Sequence, residues 1–331
     1  MKQEGTLLLT RSDVAALLGM DDCIAAVEHA FGLYAEGRTA PPGVLGVHAR
    51  EGGFHIKAGL LDLNRYYFAA KANANFPGNP SRFGLPTIQG VIVLCDAENG
   101  YPLALMDSME ITTIRTGAAT AIAAKYLARS ESETATVCGC GNQGRISVKA
   151  LMAVLPIKRV YAFDADEGAA DRFSKELSGE LQIEVTQTRD LATALAKSDV
   201  CVTCTPSKTA YLSRDYVVPG TFIAAVGADN EEKQELDPAL MKDNKIVVDV
   251  LQQCAAIGDL HHALQLGLIT EADVHAELGD VISGKKPARE SADEIIIFDS
   301  TGMALQDVAA AALVYDRAVA LKRGARLNFG N

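Results

Sequence analysis

Gly139-Cys140-Gly141-Asn142-Gln143-Gly144 is the most specific chemical signal in the chain, set between a strand-like run, Thr134–Cys138, and a helix-like stretch over 144–154. Glycine serves a different end at each point: Gly139 allows a tight turn, Gly141 lets a pyrophosphate reach the backbone, and Gly144 lets the helix pack close to the strand. Asn142 and Gln143 sit at the helix N-terminus, whose N–H groups and dipole face phosphate charge. Asp164 ends the next strand about twenty residues after the last glycine, where a carboxylate accepts hydrogen bonds from the adenosine ribose. Its neighbours Ala165, Asp166 and Glu167 carry no cation for a 2′-phosphate, so NAD (as NADH when reduced) is expected over NADP. Thr205-Pro206-Ser207 follows the strand-like run DVCVTC at the carboxyl edge of the sheet, where ligands bind in such folds.

Other chemistries find no support. The histidines, at 29, 48, 55, 261, 262 and 275, make no HExxH or other metal-ligand spacing, and no GxSxG elbow or Walker-type loop occurs, so no metal is expected. Cys201 and Cys204 make a CxxC, but within a strand positions i and i+3 point to opposite faces. An odd number of cysteines, 7, mostly in apolar stretches, suits free thiols in a reducing cytoplasm. With 31 basic and 42 acidic residues the net charge is −11, which repels phosphate backbones and anionic lipid; neither nucleic acid nor membrane is an expected partner. No run of 18 apolar residues occurs, and the first residues read as mature structure, not a signal peptide.

The elements that position these residues fall into two patterns. Residues 11–37 read as two helices, followed by alternating runs VLGVHA, FHIKAGLL, YYFAAKANA and TIQGVIVLCD, then the turn Glu98-Asn99-Gly100, as in an antiparallel sheet. An Ala-rich helix covers Asp107–Arg129. Beyond it, strands alternate with helices (Thr134–Cys138, Arg159–Asp164, DVCVTC, TFIAAV, KIVVDV), the mark of βαβ units and a parallel sheet. The final stretch, 299–324, reads as one long amphipathic helix entered at Gly302 and stopped at Gly324. The fold class is therefore α/β: a doubly wound Rossmann domain over 129–304, and an N-terminal α+β domain over 1–128 completed by a returning helix in 305–331.

Long collinear blocks resemble the ornithine cyclodeaminase/mu-crystallin family: KANANFPGNPSRFGLPTIQG with its continuation to AAKYLAR, CGCGNQG, TPS, VGADNEEKQELD, GKKPARESADEIIIFDSTGMALQD and the last helix. The resemblance implies a homodimer formed through the N-terminal sheet, and redox chemistry at an amino acid Cα–N bond. Lys71 matches the family's substrate-binding lysine and is expected to take part in catalysis. Arg115 matches its carboxylate-binding arginine, and Asp229 its catalytic aspartate, an acid/base; Arg115 and Thr116 are also expected to touch the cofactor. A guanidinium forks onto a carboxylate, fixing Cα, and an aspartate moves a proton as hydride passes to or from the nicotinamide. GADNEEKQELD and IIIFDSTGMALQD lie nearest the alanine-dehydrogenase and imine-reductase members, so the expected substrate is a small amino, imino or keto acid. Ornithine cyclodeamination with NAD retained, and non-enzymatic NAD(P)-dependent ligand binding, stay open as alternatives.

Three departures from the family pattern stand out. Pro41-Pro42-Gly43 replaces PPR or PPK and so loses a cation. His55-Ile56-Lys57-Ala58-Gly59 replaces Arg-x-Met-Pro-Ala, and Glu231-Glu232 replaces Pro-Gly. His55 and Lys57 share a strand face and are expected to rebuild the substrate pocket around a second polar or acidic group.

Overall fold

The structure, a computed structural model, describes residues 5–329. They divide into two compact units, one running to Arg115 and resuming at Met303, the other Thr116–Gly302. The first division falls inside helix Ser108–Leu127 and not after residue 128, because this Ala-rich run is one uninterrupted helix of 20 residues. No helix among the described residues is long and apolar enough to cross a membrane.

The first unit is built on a mixed sheet. Its strands in chain order are β1 (Thr6–Leu9), β2 (Gly43–Ala49), β3 (Gly52–Asp62), β4 (Tyr66–Asn75), β5 (Ile88–Asp96) and β6 (Pro102–Asp107). β2 to β6 form an antiparallel meander in chain order; β1 lies parallel to β6 and carries the short strand Ala325–Leu327 on its outer side. The helix Ala304–Ala320 packs on β3 and β4 and against helix Met20–Ala35. Gly59 permits this approach, since a Cβ there would come within 2.8 Å of Leu305 Cδ2.

That helix differs from the expected amphipathic helix of 299–324. Asp299 ends a strand, Gly302 (φ +84°) turns the chain, and Gly324 (φ +89°) lies past the last turn. Its first nine residues are all buried, so Gln306 and Asp307 lie in the interior and not on a polar face.

The second unit is doubly wound. Its all-parallel sheet runs, edge to edge, Ala276–Glu277, Lys245–Val248, Ile296–Asp299, Phe222–Ala225, Val200–Thr203, Thr134–Cys138, Arg159–Phe163, Glu184–Gln187. The chain order reverses between Thr134–Cys138 and Val200–Thr203, the switch point at whose carboxyl end ligands bind. Ile296–Asp299 inserts near the centre of this sheet, fully buried. A continuous apolar run covered on both faces is what a parallel strand requires, and IIIFD meets that description.

Candidate active site

The glycine loop takes the shape its spacing implies. Gly139 has φ +105°, and a Cβ there would lie 2.9 Å from the Cys204 carbonyl oxygen. At Gly144 a Cβ would sit 2.0 Å from the Gly139 carbonyl oxygen, so helix Asn142–Met152 could not pack this close. Nothing lies within 4 Å of a Cβ built on Gly141; the space is open to an incoming phosphate. The helix begins there with no side-chain cap, which leaves N–H groups of its first turn for a ligand. Asp164 Oδ2 accepts from the Cys140 N–H at 2.7 Å and Oδ1 from the Asp166 N–H at 2.9 Å, so the carboxylate is fixed beside the loop with lone pairs to spare. These residues fit a dinucleotide. A cation does stand close by: Arg189 pairs with Glu167, a partner that the run 165–167 does not reveal.

Two further loops at this carboxyl edge are tied to one buried carboxylate that the sequence reading missed. Glu235 accepts from the Thr205 N–H (2.6 Å) and hydroxyl (2.7 Å), from Tyr211 Oη (2.8 Å) and from the Gly227 N–H (3.0 Å). Burial pushes its carboxyl up, and these hydrogen bonds oppose the shift. Ser207 is tied in turn to Thr205 and Thr209, while Pro206 is exposed. Asp229, in the loop after Phe222–Ala225, is an exposed carboxylate paired with Lys233 Nζ at 2.7 Å. Asn230 Oδ1 accepts from the N–H groups of Glu232 and Lys233, turning the chain where the family has Pro-Gly. The charge at Glu232 goes to Lys208. Thr116 stands mid-helix and accepts, through its carbonyl, from Thr120. A cleft of about 370 Å³ opens beside Phe163, lined also by Arg189, Leu191, Tyr211 and Tyr216.

The first unit holds a buried charge cluster. Lys71 (β4) has its Nζ 2.7 and 2.9 Å from the two carboxylate oxygens of Asp307. Arg115 donates from Nε to Asp307 at 3.1 Å and from Nη1 to Gln306 Oε1 at 2.8 Å. Gln306 Nε2 is buried with no acceptor. Lys57 lies directly opposite Lys71 in the β3–β4 register and is itself only 8% exposed; His55, half-buried, is opposite Asn73. Desolvation, then the charges of Arg115 and Lys57, pull the Lys71 ammonium down to about 7, with Asp307 holding it up. Burial would raise the Asp307 carboxyl, but Lys71 and Arg115 outweigh it and keep it below the usual carboxylate range. Thus Lys57, Lys71 and Arg115 are brought together, and Asp307 and Gln306, which the sequence reading did not single out, complete the set. Among the described residues no group of His, Cys, Asp and Glu is placed to hold a metal.

Known proteins match this arrangement over nearly the whole chain. An alanine dehydrogenase of Archaeoglobus fulgidus is 41% identical over 324 residues, covering 98% of each chain. A solved archaeal alanine dehydrogenase dimer with bound NAD superposes with a TM-score of 0.93 at 41% identity, covering 98% of this chain and 99% of that one. The Δ1-pyrroline-2-carboxylate reductase of Thermococcus litoralis, solved with NADH and L-proline, gives 0.92 at 32% identity, covering 97% and 100%. The ornithine cyclodeaminase/mu-crystallin family model matches residues 4–322. With the doubly wound sheet, the glycine loop and the buried Lys71–Arg115 pair in place, this chain belongs to the ornithine cyclodeaminase/mu-crystallin family.

Proposed function

We propose that this protein is an NAD-dependent oxidoreductase of the Cα–N bond of a small amino acid, reducing an imine or reversibly aminating a 2-oxo acid. The observation that carries this reading is the buried Lys71, drawn down to about 7 beside Arg115, a proton carrier next to a carboxylate clamp. Arg115 uses two of its five N–H donors on Asp307 and Gln306, which leaves three to fork onto a substrate carboxylate. Lys71 takes a proton from the amine in oxidation and returns it to the imine in reduction; a group that titrates near neutral pH serves both directions. Asp229 is assigned as a second acid/base, held by Lys233. The glycine loop and Asp164 would hold the pyrophosphate and the adenosine ribose, and the cleft at Phe163 and Tyr211 would seat the adenine. NAD held by these residues would supply the hydride acceptor, and the amine gives up one proton to Lys71 as its C–N bond becomes C=N.

A homodimer is part of the same reading. β2, the edge strand, is exposed along its whole length, with Val44, Leu45 and Val47 offering apolar surface beside Phe54 of β3, and the archaeal relative was solved as a dimer. Such an edge needs covering. The 7 cysteines are all free, in keeping with a cytoplasmic setting.

The test is NADH consumption by the purified dimer, its mass first checked by sedimentation, with pyruvate or oxaloacetate plus ammonium and with preformed cyclic imines. Sustained consumption is expected with at least one of them. Proline and ammonia from ornithine, at constant NADH, would replace the reading with cyclodeamination; tight NADH binding with no turnover would leave a ligand-binding protein. A monomer in sedimentation would remove the dimer.

A further inference from the structure

Glu235 is a buried carboxylate whose hydrogen bonds reach three separate parts of the second unit. It stands on the short strand Gln234–Leu236, which runs parallel to Lys208–Leu212, the strand that carries Tyr211. Its Oε1 takes the Thr205 N–H and hydroxyl and the Tyr211 hydroxyl, while its Oε2 takes the Gly227 N–H. Every partner donates, which calls for an acceptor-only group. Among the described residues no lysine or arginine of this unit is buried, so aimed donors, and not a buried cation, offset the cost of burying the charge.

Each partner leads to the cofactor seat or to the acid/base loop. Thr205 follows Val200–Thr203 and Gly227 follows Phe222–Ala225, neighbouring strands of the parallel sheet, so one carboxylate joins their carboxyl ends. Cys204, next to Thr205, sets its carbonyl against Gly139, 2.9 Å from where a Cβ would be, which carries the connection to the glycine loop. Tyr211 stacks on Phe163, ring centroids 6.3 Å apart, in the wall of the cleft. Gly227 gives its N–H to Glu235 and its carbonyl to Lys233 Nζ (3.3 Å), and the same Nζ holds Asp229. A Cβ on Gly227 would fall 2.3 Å from Glu235 Oε2, so only glycine admits the contact. Glu235 is fixed in its turn, since its own N–H and that of Leu236 go to Asp259 Oδ1 at 2.8 and 2.9 Å.

We propose that Glu235 is the positioning residue that aligns the cofactor seat with the Asp229 turn, bridging Thr205 and Tyr211 on one oxygen to Gly227 on the other. The part that concerns Asp229 rests on the oxidoreductase reading above; the part that concerns the cofactor rests on the glycine loop. Two consequences separate this role from that of a group that only stabilises the fold. NADH affinity and turnover depend together on this side chain, and its length matters as much as its charge.

Glu235→Gln keeps the shape but turns one acceptor into an NH2 group, which meets donors whichever way the amide is set. It is expected to weaken NADH binding, followed by fluorescence titration, on the order of tenfold, the scale of a lost hydrogen bond to a charged group. At saturating NADH, kcat should fall by a similar factor. Glu235→Asp keeps the charge but is one methylene short of spanning both loops, so it should restore neither value. Tyr211→Phe keeps the ring and removes one donor, and should raise the NADH Kd about threefold. Melting curves accompany each variant. Wild-type Kd and kcat in folded Glu235→Gln overturn the proposal, and so does full recovery in Glu235→Asp, which would assign the effect to charge alone. A raised Kd with wild-type kcat overturns the link to Asp229. If neither Glu235 variant folds, an unmoved NADH Kd in Tyr211→Phe overturns the assignment. Absence of turnover in the wild type overturns the oxidoreductase reading, and the NADH affinities still decide whether Glu235 aligns the cofactor seat.

Discussion

Lys71→Met is expected to cut turnover by about 10³-fold or more while NADH still binds, the scale of a lost general acid–base group together with a lost substrate contact. Methionine matches the length of lysine and carries neither charge nor proton. Asp307 keeps Arg115 as a partner, so the cluster stays paired. The glycine loop belongs to the other unit, which leaves NADH fluorescence titration as a control on folding. A pH profile separates proton transfer from positioning. With Lys71 near 7, oxidation of an amino acid needs the neutral amine and should rise through pH 7 to a plateau; imine reduction needs the ammonium and should fall across the same range. Lys71→Arg keeps the charge but cannot release a proton near neutrality, so it should remain inactive in both directions. If Lys71→Met retains more than a tenth of wild-type kcat with the same profile, proton transfer passes to Asp229.

The cofactor residues could be read directly because their determinants are local. Gly139, Gly141, Gly144 and Asp164 lie within one strand–turn–helix–strand unit, and each glycine answers a steric demand that only its own neighbours impose. The charge cluster was half legible. Lys71 and Arg115 stood out through family blocks, but Asp307 meets Lys71 from 236 positions away, on a helix whose residue pattern looks amphipathic. Only the packing of that helix between the sheet and helix Met20–Ala35 makes Asp307 interior, and no local periodicity encodes a two-sided burial. The same limit explains Ile296–Asp299: its position in the centre of the sheet depends on a crossover from the last part of the unit, and its sequence joins smoothly to the following helix. β1 is short and pairs with a strand from the far end of the chain, so neither partner announces the other. Lys57 shows the converse case: it stands out as a departure from the family pattern, and its burial opposite Lys71 comes from the strand pairing.

Asp307→Asn is expected to be the most destabilising polar substitution in the first unit. The amide keeps the shape but removes the one charge that faces Lys71 and Arg115, leaving buried cations uncompensated, a change that costs about 3–5 kcal/mol. The pH dependence carries the diagnosis. Asp307 raises the Lys71 ammonium and burial lowers it, so without the carboxylate Lys71 should fall below 7. The folded state then sheds a proton that the unfolded chain, with lysine near 10.5, still holds, and stability from this group rises with pH between the folded and unfolded values. In the variant that rise starts at lower pH. The deficit against wild type should therefore be larger at pH 6, where wild-type Lys71 is charged and paired, than at pH 9, where both proteins hold the neutral amine. Urea denaturation at the two pH values measures it. The limb of amino acid oxidation that rises through pH 7 in the wild type should move to lower pH in step, because both observables report one proton on one nitrogen. An unmoved limb together with equal deficits at pH 6 and pH 9 would show that Asp307 only fills space, and the assignment of Lys71 as the titrating group would lose its structural basis.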